Sequence, residues 1–398
     1  MDADQQPPLA GLKVIDCSRV LAGPYCATLL GLMGAEVIKV EAPSGDEGRV
    51  WPPHQGEMGS SFLALNLNKR GLVLNLKKPE AVEVFKDLVR DADVLVENFK
   101  TGEMEAFGLD WPTLQALNPK LVYTSISAFG RVGPKAKDPG YEALVQAYSG
   151  AMAITGSAGG EPVRSGVSFL DMGTGLMSAM GTLAALLRRG TTGKGGKVEA
   201  SLLGSSMGLM ANGVANYLLH NSQPARMGTA HPQLVPYQAF PTRDGFLFVA
   251  GGNQGLWERL CRTLDAEALL SDERFSSNQQ RVNNREACVE AVTNLFANCD
   301  TEPLRVKLRE ARVPCTPVND YAAVMADGQV DALGVIVSGE DPDYGEFKVP
   351  GLPFSISDYQ PAPPKTAPRV GEHTREVLLE IGYSEEKIDR LNEVGALG

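Results

Sequence analysis

Histidine is scarce in this 398-residue chain, which carries four: His54, His220, His231 and His373. So few argue against a His-based metal centre. The six cysteines (Cys17, Cys26, Cys261, Cys288, Cys299 and Cys315) form no Cys-x-x-Cys pair, which removes the usual zinc and redox-dithiol spacings. Basic residues are outnumbered, and the formal net charge of −11 argues against a general nucleic-acid or membrane-surface binder, since both partners are anionic. No stretch approaches the roughly 18 unbroken apolar residues of a membrane span. The opening MDADQQPPLAGLKVIDCS has no basic region followed by an apolar run, so a soluble cytoplasmic protein is the expectation. Also missing are the dinucleotide fingerprint, the P-loop and the Gly-x-Ser-x-Gly elbow, so NAD, ATP and serine-hydrolase chemistry lose support. There is no internal repeat.

What is present is a hydrophobic fraction of 43% and an alternation of short β-branched runs with helical segments. The strand candidates are LKVIDCS (12–18), AEVIKVE (35–41), GLVLNL (71–76), DVLVENF (93–99) and LVYTSISAFG (121–130). Helical patterns follow Pro24 and cover 79–92. This alternation predicts a doubly wound α/β architecture whose parallel sheet is covered on both faces, with ligands beyond the carboxyl ends of its strands. The texture changes after about residue 200, where 201–220 reads as one long small-residue helix and a turn-rich stretch follows. The expected division is a discontinuous large Rossmann-like domain, 1–222 and 328–398, and a small α+β domain, 223–327, with the terminal helix docked back on the large one.

The stretch RSGVSFLDMGTGLMSAMGTLAALLRRG delivers one carboxylate, Asp171, into a Gly-Thr-Gly turn ahead of a long helix. Aspartate is a favoured helix N-cap, which is the plainer alternative. The chemical reading is an ionised nucleophile held by backbone N–H groups and the positive helix end, with Gly173 and Gly175 allowing close approach. A carboxylate attacking a thioester gives a mixed anhydride and a thiolate, and needs neither metal nor histidine. Backbone N–H groups of glycine-rich loops are suited to the oxyanion. A basic cluster, Lys69, Arg70, Lys77 and Lys78, brackets one strand and is either a solvated strand end or a phosphate rim. Asn98, Phe99 and Lys100 end the next strand, where an aromatic between an amide and a lysine suits an adenine nucleotide.

GLKVIDCSRVLAGPYCATLLGLMGAEVIKVE, LNKRGLVLNLK, ADVLVENFKTG, DPGYEALVQAYSG, LDMGTG and RVGEHTREVL, in that order through nearly the whole chain, resemble the class III coenzyme A transferases. The resemblance implies Asp171 as nucleophile, from the D-x-x-T-G stretch. It implies coenzyme A contacts at Val20, Leu21 and Ala22, at Leu74, Asn75, Leu76 and Lys77, at Asn98 and Phe99, and at Tyr141 and Glu142. Some members place an arginine after the K-V-E strand and another basic residue after E-N-F…G, where this chain has Ala42 and Ala106. Lys100, Lys137, Lys135 and Arg131 are then the cations expected on the phosphates. The resemblance further implies an interlocked homodimer, a coenzyme A thioester as substrate with no tightly bound cofactor, and a carboxylic acid as second substrate. The segment ANYLLHNSQPARMGTAHPQLVPYQAFPTRDG resembles members that use succinyl coenzyme A and a dicarboxylate such as glutarate or itaconate. Arg49, Arg164, Arg226 and His231 are candidates for the distal carboxylate. Two alternatives compete. An acyl coenzyme A racemase of the same family needs a second proton-transfer group, usually histidine, where this chain reads KDPGYE from Lys137 to Glu142. A non-catalytic coenzyme A binder would not need Asp171 and its glycines.

Overall fold

The computed structural model describes residues 6–56 and 58–398. By internal contacts the chain divides into two compact units. The first takes the chain through Ala151, then Arg164–Ser222 and Leu333–Gly398, and the second takes Met152–Val163 and Gln223–Ala332. The second unit thus includes two pieces, Met152–Val163 and 328–332, that the sequence reading groups with the large domain.

Six parallel strands form the centre of the first unit: β1 (Lys13–Asp16), β2 (Glu36–Glu41), β3 (Lys69–Val73), β4 (Val94–Glu97), β5 (Val122–Ser127) and β6 (Gly196–Ser201). Their order is β3-β2-β1-β4-β5-β6. Alternate residues of each strand enter opposite cores, as the pleat requires. Ile15, Ile38, Val40, Leu72, Leu95 and Tyr123 meet helix α2 (Pro79–Arg90) and the carboxyl-terminal helices α7 (Thr374–Glu380) and α8 (Glu385–Glu393). Val14, Val37, Val94, Val96, Val122 and Ile126 meet α1 (Ala22–Leu32) and α4 (Phe169–Thr192). Helix α2 shows how the sequence builds such a layer: Pro79 is pre-set for a first turn, and Ala81, Val84, Phe85, Leu88 and Val89 recur at helical spacing and are buried. Burying a side chain the size of Phe85 is worth about 1.5–3 kcal/mol.

The chain leaves β1 for β2 on one side and enters β4 on the other, so the strand order reverses between β1 and β4. At that point the carboxyl ends diverge and leave a crevice. The outer edge, β3, is closed by the carboxyl-terminal segment. His373 Nδ1 accepts from Gly71 N at 3.1 Å, Thr374 Oγ1 from Val73 N at 3.1 Å, and Ala396 O from Asn75 N at 2.9 Å. Helices α3 (Glu142–Ser149), α5 (Leu202–Leu209) and α6 (Ala211–His220) complete the elements used below.

The second unit contains a three-stranded antiparallel sheet, Cys315–Pro317, Phe246–Ala250 and Tyr237–Pro241, packed on helices that bury Trp257, Cys288, Phe296 and Leu308. Arg281 is fully buried there and donates to the carbonyls of Val235, Gly252 and Phe275 at 2.7, 2.9 and 3.0 Å. Those acceptors replace the water that a guanidinium loses on burial.

Candidate active site

Asp171 is the third residue of α4 and not its cap. The capping position is Ser168, whose side chain makes no capping bond. The first-turn N–H of Leu170 is accepted instead by Glu142 Oε1 at 3.4 Å, from the start of α3. Gln146, one turn along α3, donates to that same oxygen at 2.7 Å and accepts from Ser165 N at 2.9 Å. Two side chains of α3 therefore hold the entry to α4, and Asp171 projects beside them.

The electrostatics differ from the expected picture of a carboxylate held ionised by a helix end. Burial first, then the negative charge of Glu142, push the Asp171 carboxyl up to about 7, while Arg164 pulls in the other direction. Arg164 is half exposed, with Nη2 3.7 Å from Glu142 Oε2. That oxygen is buried and has no hydrogen-bond partner. The site is thus two carboxylates and one arginine, with the nucleophile candidate poised between its acid and its base forms at neutral pH.

Asp171 opens into a cleft of about 690 Å³ over the carboxyl ends of β1, β4 and β5. Val20, Leu21 and Ala22 form one wall, between β1 and α1. Asn98, Phe99 and Lys100 form the next, directly after β4, and Lys137, Tyr141 and Glu142 come from the segment leading into α3. Phe99 meets Phe107 edge to face with ring centroids 6.1 Å apart, and the Arg19 guanidinium lies 5.0 Å from its ring centre. Arg131 also lines the cleft, but both oxygens of buried Glu97 hold it at 2.9 and 3.1 Å. Lys135 pairs with Asp138 at 2.8 Å.

The remaining candidates have other partners or environments within their own units. Leu74 is in the core, Leu76 packs against it, and Asn75 binds the carboxyl-terminal segment, its Nδ2 donating to Gly395 O at 3.2 Å. Lys77 is exposed. Lys69 is fully buried on Asp16 at 2.8 Å, and Arg70 pairs with Glu36, Glu376 and Glu380, so neither supplies a free phosphate rim. Arg49 grips Glu41 at 2.6 Å and donates to Pro368 O while stacking on Phe62. Arg226 and His231 belong to the second unit. There Arg226 donates to Gly160 O and Ala153 O at 2.9 and 2.8 Å, and His231 Nδ1 accepts from Gln233 N at 3.1 Å. Among the described residues no group of three His, Cys, Asp or Glu is placed to hold a metal ion.

Sequence reading passed over Arg19, the cation on Phe99, and the buried Lys39–Asp46 pair behind Val20. Position directly after the first strand was the available signal for Arg19. None marked the pair: Lys39 stands in the K-V-E strand and Asp46 in the turn after it, and nothing in the sequence shows that their side chains meet.

The profile described as CoA-transferase family III matches residues 9–374. Among curated relatives, a human protein named succinyl-CoA:glutarate CoA-transferase is 36% identical over 399 residues, covering 100% of this chain and 91% of its own. An Agrobacterium fabrum protein named succinate–glutarate CoA-transferase is 39% identical, covering 95% of this chain and 96% of its own. Among solved structures, a CaiB/BaiF family protein from Brucella suis superimposes with a TM-score of 0.86 at 37% identity, over 95% of this chain and 100% of its own.

Proposed function

Because this chain belongs to CoA-transferase family III and is a class III coenzyme A transferase, we propose that it moves coenzyme A from succinyl coenzyme A to a dicarboxylate of the glutarate or itaconate kind, with Asp171 as nucleophile. The observation that carries the reading is the placement of Asp171 in the first turn of α4, beside Glu142 and at the edge of the cleft over β1 and β4.

Ionised Asp171 attacks the thioester carbonyl, the carbon–sulfur bond breaks, and coenzyme A leaves as a thiolate, giving an acyl-aspartyl anhydride. The thiolate then attacks the aspartyl carbonyl, releasing the donor acid and leaving an aspartyl coenzyme A thioester. The acceptor carboxylate attacks that thioester, forming a second anhydride. Thiolate attack on the acceptor's acyl carbon completes the new thioester and restores Asp171. Each step exchanges one carboxylate for one thiolate, so no external proton donor is required. Val20–Ala22, Asn98 and Phe99 border the coenzyme A, and Arg19, Lys100 and Lys137 are the cations available for its phosphates. Arg164, half exposed beside Glu142, is the cation best placed for a second carboxylate.

The chain pairs with a second copy as an interlocked homodimer. Support comes from apolar surface with no cover in the single chain: α6 has no buried residue although it carries Tyr217, Leu218 and Leu219, and Met180 and Leu187 of α4 are 67% and 77% exposed.

The test is a donor and acceptor screen read by mass, with succinyl coenzyme A against glutarate, itaconate, malate, oxalate and acetate, plus hydroxylamine trapping. New thioester with a dicarboxylate and a hydroxamate on Asp171 are expected. Absence of transfer with every acceptor, alongside deuterium entering the α-carbon of a branched acyl thioester in heavy water, would replace the reading with a racemase.

A further inference from the structure

The wall formed by Val20–Ala22 begins with a backbone conformation that valine disfavours. Val20 has φ +70°, and it is the one β-branched residue among those with positive φ other than glycine in the described chain. A segment in that state persists only when its surroundings over-determine it. Here they do. Ser18 N donates to Asp16 Oδ1 at 3.0 Å, and Ser18 O accepts from Lys39 Nζ at 2.5 Å. Arg19 exchanges two bonds of 2.8 Å with the Asn98 amide, through its N–H and its carbonyl. Val20 N donates to both oxygens of Asp46, at 3.3 and 3.2 Å. Every backbone polar group from Ser18 N to Val20 N is thus held by a side chain, in turn that of Asp16, Lys39, Asn98 and Asp46.

The two grips at the ends of this segment are themselves joined. Lys39 Nζ lies 3.1 Å from Asp46 Oδ2, and both side chains are fully shielded from water. Asp46 also accepts from Gly48 N at 2.9 Å, so it is anchored to the turn that follows β2. Removing both charges from water costs free energy that a simple apolar pair would not. Asp46 borders the cleft beside Val20, but its carboxylate is taken up by Val20 N, Gly48 N and Lys39, and neither member of the pair bonds to Asp171. What it does hold is the Ser18 carbonyl and the Val20 N–H.

We propose that the buried Lys39–Asp46 pair is a positioning device for the transfer reaction: it fixes Val20 in the left-handed state and so sets the Val20–Ala22 wall against the coenzyme A thioester, without meeting a reacting atom. This rests on the reading of the cleft as the coenzyme A site. Its particular consequence is a coupling between Asp46 and the conformational freedom of residue 20. Glycine adopts positive φ without strain, so a glycine at 20 needs less holding.

The test uses the full chain and free coenzyme A as the calorimetric probe, together with KM and kcat for the acyl thioester. Asp46→Asn weakens coenzyme A binding and raises KM by about tenfold, with kcat changed less than about threefold. Adding Val20→Gly to Asp46→Asn returns KM to within about threefold of the starting protein. Should Asp46→Asn not fold, Asp46→Ser keeps an acceptor for Gly48 N while losing Val20 and Lys39, and serves in its place. A folded Asp46 variant with unchanged affinity and KM overturns the proposal. So does a double variant no better than the single one, which would make Asp46 a general stability residue. Wild-type protein that binds no coenzyme A would remove the cleft reading itself, a result distinguishable from either.

Discussion

Asp171 is held close to half-protonated at neutral pH, and two opposite demands meet on it. Attack needs the carboxylate, whereas burial and Glu142 favour the acid. The donor half-reaction is therefore expected to rise with pH through an apparent value near 7 and level off above it. Glu142→Gln removes the like charge while the amide still offers an acceptor to Leu170 N, so the profile should move to lower pH; a profile that stays in place would clear Glu142 of the effect. Stability follows the reverse sense. Between the ordinary carboxyl value of 3.8 and about 7 the folded chain keeps a proton that the unfolded chain has lost, so stability falls as pH rises through that window and the deficit is complete above it. Asp171→Asn should therefore melt a few degrees higher than wild type at pH 8 but not below pH 4, and lose transfer by about a thousandfold or more. Equal melting temperatures at pH 8, or surviving turnover, would contradict this account. At this scale the strand-end reading led to Asn98–Lys100, which line the cleft after β4, whereas Val20–Ala22 on the opposite wall were implied by the family resemblance alone. On the ionisation of Asp171 the sequence pointed the wrong way: it led to a carboxylate kept charged by the helix end, whereas burial and then Glu142, 29 residues away in the chain and adjacent only in the fold, favour the acid.

At the scale of elements, the close approach of α1 and α4 sets the distance between the Val20–Ala22 wall and Asp171. A Cβ built on Gly175 would lie 2.7 Å from Ala22 O and 3.0 Å from Tyr25. Backbone cannot swing aside, so Gly175→Ala should force the helices apart, cost about 1–3 kcal/mol, and lower kcat/KM at the same time. At Gly173 the obstacle is the tip of Leu209, at 2.7 Å, which is a rotatable side chain. Gly173→Ala should therefore be milder in thermal melts, and a reversed order would refute the packing argument. The parallel βαβ pattern was legible because its strands are apolar on both faces. Strand β6 was not: Lys197 and Glu199 face outward on an edge, and GKVEAS reads as polar linker. The single helix expected over 201–220 is two helices meeting at Met210, and α4 starts before Asp171 because Glu142 caps it from another element, a contact with no local signature.

For the whole molecule, uncovered apolar residues on α4 and α6 lead to the expectation of a homodimer that dilution does not separate. Sedimentation at nanomolar concentration should show one dimeric species, and a clean monomer would rule out interlocking. Leu218→Glu with Leu219→Glu should reduce the yield of soluble dimer several-fold, since two charges would enter the apolar contact. The net charge of −11 leaves such a dimer strongly acidic outside its cleft, so anionic substrates are held by local cations alone and affinity should weaken as salt rises.

The closure of β3 by the carboxyl-terminal segment also sets an order of events during synthesis. Gly71 and the histidine that accepts its N–H are 302 residues apart, so the strand emerges from the ribosome long before its cover is translated. Through that interval the nascent sheet carries an open edge, the arrangement most prone to pairing with a neighbouring chain. A chain cut ahead of His373 would keep that edge bare and would also lack Val377, Leu378, Ile388 and Leu391 from the core under the sheet, so both faults would fall on the same strand.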